Sequence, residues 1–300
     1  MKKISLLMKI RQSITNLTKS TPHFINQNVI KDNNFFKFSY SIIKQSLLAL
    51  IICAIGDLCA GLILGNMTSY LAAWPGLLTL VPGAIGMRGN IFGSFGSRLG
   101  TDLNIGMLPP KIEKSKILSQ NIISSMILTM TLSICLAFIT KILCVIFNLP
   151  SMSIFDFILI SFFAGLISSV IMLPLSMLIS LKSFQHGWDP DNITTPLIAA
   201  FGDLFTLPSI ILSVLLLSSF HNITVLRNII AILAVIIAII GICYGFKSND
   251  KVGTIVKQST PVLFICSILG SISGGILNSS AETLLSNPSL LTLVPLFSGE

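Results

Sequence analysis

WPGLLTLVPGAIG, residues 74–86, returns 213 positions later as NPSLLTLVPLFSG, residues 287–299. Matched pairs extend upstream at the same offset: Ile55 with Ile268, Gly61 with Gly274, Ile63 with Ile276, Leu64 with Leu277 and Leu71 with Leu284. Each copy is an apolar segment, a short polar break and a Pro-containing segment. Internal duplications of this kind in membrane proteins put a path for small solutes at the repeat interface, near the bilayer midplane. On the logic of the repeat, a second unit continues past Glu300 for about 130 residues, the length the first copy runs beyond Asn90.

The surrounding composition fixes the solvent. Hydrophobic residues make up 53% of the 300 and charged residues 10%, with a mean hydropathy of +0.89. That is more apolar surface than a water-soluble core of this size can use. Apolar runs of spanning length, roughly 20 residues, are predicted near 42–66, 117–147, 154–181, 196–220, 227–246 and 258–280. Two more, 70–100 and 283 onward, are interrupted by Pro and Gly. The fold expected is all-α and polytopic: a five-span unit, a connecting span and the start of a second, parallel five-span repeat. In domain terms, 1–40 is a basic cytoplasmic arm, 41–221 the first membrane unit, 222–257 the connecting helix and loop, and 258–300 the opening of the second unit. An odd number of spans inverts its successor, so the extra connecting span is what lets the second copy run parallel.

Charge gives orientation. With the N-terminus cytoplasmic, 17 of the 19 Lys and Arg residues fall on the inner side and only Lys141 and Arg227 on the outer, as the retention of basic residues in the cytoplasm requires. The expectation is a multi-pass protein of the cell membrane with its N-terminus inside. The net charge of +8 is then a topological bias, and nucleic acid is not expected as a partner. Cys53, Cys59, Cys135, Cys144, Cys243 and Cys266 form no C-x-x-C pair, and the three histidines have no paired spacing. No G-x-x-x-x-G-K-[ST] loop for ATP is present.

Few ionisable residues sit at membrane depth, where each costs on the order of 2.5–3.5 kcal/mol and is a functional candidate by default. Asp57 lies in the first span. Asp203 lies in the fifth, in PLIAAFGDLFTLP, where Pro196, Gly202 and Pro208 are expected to loosen the helix. A carboxylate beside freed backbone oxygens suits a hydrated cation, Mg²⁺ above all, which keeps its waters and is held through one or two carboxylates. Asp203 is expected to matter more than Asp57, which has Gly270 as its counterpart in the repeat and lacks such a loosened helix. A structural alternative pairs Asp203 with a hydroxyl of a neighbouring helix or with Arg98. Asp156 and Glu282 are expected as solvated helix ends. The second span, crowded with Pro75, Pro82 and seven glycines, is expected to be interrupted where it lines a wet path.

Three strings together, LVPGAIGMRGN at 80–90, GSRLGTDLNIG at 96–106 and WDPDNITTPLIAAFGDLFTL at 188–207, resemble the membrane domain of MgtE-type magnesium transporters, most closely the solute carrier family 41 branch. The resemblance covers about 45–215 as a complete unit and 258–300 as an incomplete one. It implies a cation pore between two five-span units, supplied by a second repeat or a second copy of the chain. On that implication Asp203 is the pore-lining acid of span five, which again ranks it above Asp57, Asn90 is the Asn of the Gly-Asn motif, and Asp189 is the acid opening the Asp-Pro motif at the cytoplasmic mouth. Thr195 stands where some relatives carry Asn. No prosthetic group is implied; Mg²⁺ or another divalent cation is cargo, and lipid is the surrounding partner. An exchanger coupling Mg²⁺ to Na⁺ or H⁺ is the alternative within transport. Outside transport, the alternative is an embedded Mg²⁺-dependent lipid or isoprenoid enzyme using Asp189 and Asp191.

Overall fold

The computed structural model describes residues 32–111, 113–187, 193–219 and 224–295. The described residues from Leu48 onward pack as one unit, and those up to Leu47, the opening of the first helix, belong to a separate one. The long helices are α1 (Asp32–Asn66), α3 (Leu77–Asn104), α4 (Lys116–Ile146), α5 (Ile154–Gln185), α6 (Thr195–Ser219), α7 (Thr224–Lys247) and α8 (Lys251–Ser279). Three short ones intervene: α2 (Thr68–Ala73), α9 (Ala281–Ser286) and α10 (Pro288–Leu291). No strand occurs among the described residues.

Six helices are long and apolar enough to cross a membrane: α4 to α8, and α1 from Ser46 onward. The missing member is α3, which carries Arg88, Arg98 and Asp102. At 28 residues it is about 42 Å long at 1.5 Å per residue, and it runs between the same two ends of the bundle as its neighbours. It needs no continuous apolar surface because α4, α5, α6 and α8 all pack around it, which is the setting in which polar residues at depth are tolerated. The expected interruption of this span lies at its start. Pro75 and Gly76, the latter at φ +84°, turn the chain before Leu77, and the helix then passes unbroken through Pro82.

Local chemistry sets the other boundaries. Ser115 caps α4 by accepting from the Leu118 N–H at 3.1 Å, and Ser153 caps α5 through the Phe155 N–H at 3.3 Å. Within the spans, hydroxyls bond back to their own helix: Thr206 to the Gly202 carbonyl at 2.6 Å, Ser169 to Gly165 at 2.8 Å, Ser267 to Leu263 at 2.8 Å. This satisfies the side chain without water.

One end of the bundle gathers the basic residues. There Gln185 donates to the Pro110 carbonyl at 3.3 Å. Lys251, the first residue of α8, pairs with Asp102 near the end of α3 at 2.5 Å. Asn121 donates to the same carboxylate at 3.0 Å and receives Arg98 Nε at 3.1 Å. At the other end the Met152 N–H bonds the Pro75 carbonyl at 2.9 Å, and Lys141 donates to Ser151 Oγ and the Met152 carbonyl, both at 2.9 Å. Asp156, expected as a solvated end, is instead buried beside Arg227 at 3.3 Å. Helices α3 to α8 thus alternate in direction, and Lys141 and Arg227 lie toward the end opposite Lys182, Lys247 and Lys251.

The duplicated segments adopt the same backbone course. α1 ends at Asn66 and α8 at Ser279, α2 occupies 68–73 and α9 281–286, so these three boundaries are displaced by 213. Trp74 has φ −119°, ψ 88° and Asn287 φ −126°, ψ 78°, the extended backbone that a following proline imposes. The copies part at the next step. Where the first has Gly76 in the left-handed region, the second has Ser289, and α10 begins at once at Pro288. No described span follows Leu291, and α8 opens at Lys251, ahead of the expected 258. α7, the expected connector, packs on α4, α5 and α8 while turning Ile232, Leu233, Ile236 and Ile240 outward.

The two copies also embrace. A Cβ at Gly61 on α1 would overlap the Thr292 carbonyl oxygen, and a Cβ at Gly274 on α8 would overlap that of Thr79. Since Gly61 pairs with Gly274 and Thr79 with Thr292 at the 213 offset, each copy's first helix lies against the other copy's Leu-Leu-Thr segment. Reciprocal contact between equivalent positions is the mark of two-fold arrangement.

Candidate cation site at the contact of α1, α3 and α6

α6 lies against α3 along a face that lacks side chains. A Cβ at Gly202 would stand 3.3 Å from Gly89 Cα, and one at Gly93 3.4 Å from Thr195 Cγ2. This close approach is the packing use of small residues in membrane helices, and it brings Asp203 onto α3: its Oδ1 is 3.7 Å from where Gly89 would carry a Cβ. Asp203 is 4% exposed. α6 is helical through Gly202 and Pro208, so the expected loosening reduces to one freed carbonyl, that of Leu204, which Pro208 cannot reach with an N–H.

Arg98 does not pair with Asp203. Its guanidinium is taken by Asn121, by Ser94 Oγ at 3.2 Å and by Ser125 Oγ at 3.3 Å. The ion pairs among the described residues are Arg227 with Asp156 and Lys251 with Asp102, and neither involves Asp203. What approaches Asp203 is another acid. Gly56 on α1 meets α6 at Ala200, where a Cβ would be 3.3 Å from Ala200 Cβ. Asp57 follows Gly56, and Asp203 follows Ala200 by one turn, so the two carboxylates lie within electrostatic range. Asp57 is half-buried, Asn90 exposed and Thr195 half-buried beside Gly93. Asp189, with Asp191, lies outside the described residues.

The sequence ranks Asp57 below Asp203 on the repeat, on the prolines and glycine around Asp203 and on the family resemblance, none of which reports what α1 touches. The readable signal was Gly56, a residue that lets a neighbouring helix come close directly before an acid. Two carboxylates in a weakly polar setting repel each other and are stabilised together by a cation. Among the described residues no three His, Cys, Asp or Glu side chains converge, so the pair, carbonyl oxygens and water are what a cation would meet.

Residues 81–213 match the family model of MgtE, described as a divalent cation transporter. The chain carries an MgtE-type domain. This MgtE-type domain contains Asn90, Thr195 and Asp203, while Asp57 lies upstream of the matched region. The chain is 29% identical over 175 residues to solute carrier family 41 member 3 of mouse, covering 54% of this chain and 34% of that protein. It is 25% identical to the rat member 3 over 248 residues (79% and 52%) and 25% identical to member 2 of chicken over 263 residues (83% and 44%). It thus spans between a third and about half of these relatives. No solved structure matches. The family and these relatives are transporters, not enzymes, which leaves the lipid-enzyme reading without support.

Proposed function

We propose that this protein conducts a divalent cation, most specifically Mg²⁺, across the cell membrane along a path on which Asp203 and Asp57 form the acidic site. The observation that carries this reading is that Asp57 lies within electrostatic range of Asp203 beside the glycine-mediated contact of α3 and α6, with neither ion pair among the described residues involving Asp203. Two negative charges match one dication. Asn90 and the Leu204 carbonyl supply oxygen without adding charge, which suits an ion that keeps part of its water. The reciprocal contacts at the 213 offset support a path completed by a second unit, from the same chain or a second copy. The path reads as uptake with the basic end of the bundle inside. An inside-negative potential then contributes roughly 2.3 kcal/mol per charge per 100 mV, about double for a dication.

The test is Mg²⁺ flux into proteoliposomes holding the full chain under an imposed potential. Flux that rises steeply as the interior is made negative is expected; flux indifferent to the potential rules out conduction as drawn. Orientation is read separately. Single cysteines at Lys114 and Lys251 should react with an impermeant thiol reagent only after the cytoplasmic face is opened, and one at Thr224 from outside in intact cells. Labelling of Thr224 only from the cytoplasm would reverse the assignment.

A further inference from the structure

The interior of the first unit holds a second polar cluster that the cation site does not use. Arg88 is fully buried, and its side chain reaches α5, where Nη2 donates to the Ser161 carbonyl at 3.3 Å. Among the described residues its Nε and Nη1 have no hydrogen-bond partner, nor do the buried hydroxyls of Ser161 and Ser133. Ser133 belongs to the same place. A Cβ at Gly165, one turn beyond Ser161 on α5, would lie 2.6 Å from Ser133 Oγ. These hydroxyls break the habit of their neighbours, since Thr129 and Ser169 both bond back to their own helices at 2.8 Å.

Every unpartnered atom in this cluster can donate a hydrogen bond, and neither ion pair among the described residues involves Arg88. A guanidinium at membrane depth without a counter-charge carries a large desolvation cost. Donors converging on one turn from α3, α4 and α5 call for an acceptor that brings negative charge. We propose that Arg88, Ser133 and Ser161 bind a small monovalent anion of chloride size, enclosed by α3, α4 and α5. One positive charge matches one negative, and complete burial keeps lipid phosphate out. The ion serves the packing of the unit, so its detection does not depend on the cation path.

The test uses the purified full chain in micelles, dialysed to equilibrium and unfolded by heat in chloride or gluconate at fixed ionic strength. Tm should climb with the logarithm of chloride concentration, as for any ligand held by the folded state alone, and bromide should replace chloride. Arg88→Gln should abolish the dependence. Should that variant fail to fold, Ser133→Ala with Ser161→Ala removes only two oxygens and should shift the chloride response to about tenfold higher concentration, or about 1.4 kcal/mol. Asp203→Asn should keep the full chloride response, which separates this site from the cation site. A wild-type Tm indifferent to chloride and bromide, or an unchanged response in the double serine variant, overturns the proposal and leaves a guanidinium held by water.

Discussion

Asp203→Asn is expected to remove most Mg²⁺ flux while leaving the protein folded, a loss of roughly tenfold or more, corresponding to at least about 1.4 kcal/mol. The amide keeps the shape of the carboxylate and discards its charge beside the close backbone approach of Gly202 to Gly89. Asp57→Asn is expected to lose a similar amount, against the ranking read from the sequence, because Gly56 brings α1 onto Ala200 and places both acids in one field. If they hold one ion together, the double variant should be little worse than either single one, as groups acting as a unit are strongly non-additive. Mg²⁺-dependent growth of a transporter-deficient host, with expression matched, gives the comparison. Near-normal flux for Asp203→Asn would displace the site from α6. Normal flux for Asp57→Asn alone would leave Asp203 acting without a second acid.

Gly274→Ala is expected to be among the most damaging single-methyl changes in the chain. The added Cβ would overlap the Thr79 carbonyl oxygen, and backbone cannot rotate aside as a side chain can. The neighbouring face offers no slack, since a Cβ at Gly270 would stand 2.6 Å from Gly83 Cα. Overpacking of this kind costs about 1–3 kcal/mol, occasionally more, and here it falls on the contact that seats α8 against α3. Gly241→Ala on α7 is the matched control, because its methyl would meet Ile127 at an ordinary 3.8 Å. Thermal unfolding and the monodisperse fraction after detergent extraction should fall for Gly274→Ala and hold for Gly241→Ala. Equal behaviour of the two would mean that α8 does not pack on the Leu-Leu-Thr segment as described.

Much of the architecture could be read along the chain. Apolar runs announced α1 and α4 to α8 because lipid demands an unbroken apolar length of each helix exposed to it. The 213-residue offset is matched where α1 and α8 end and where the short helices α2 and α9 follow, since similar local sequence gives similar breaks. α3 was harder. Its glycines and Pro82 suggested an interruption, yet the helix is continuous, because neighbours on four sides hold a backbone that would fray in water. Asp156 misled in the same way: a carboxylate at a helix start is normally solvated, and only the approach of α7 with Arg227 buries it.

The sequence by itself determined the apolar solvent and the all-α, multi-span architecture, because each follows from composition or from local backbone preference. Tertiary structure alone decided that Asp57 lies within electrostatic range of Asp203, that Arg98 is hydrogen-bonded on every side while Arg88 makes one bond, and that the first helix of each copy rests on the other. Those outcomes turn on distances between residues far apart in the chain, such as Gly56 and Ala200 or Gly274 and Thr79. Such distances are set by how glycine faces let helices close on one another, a quantity that no single segment carries.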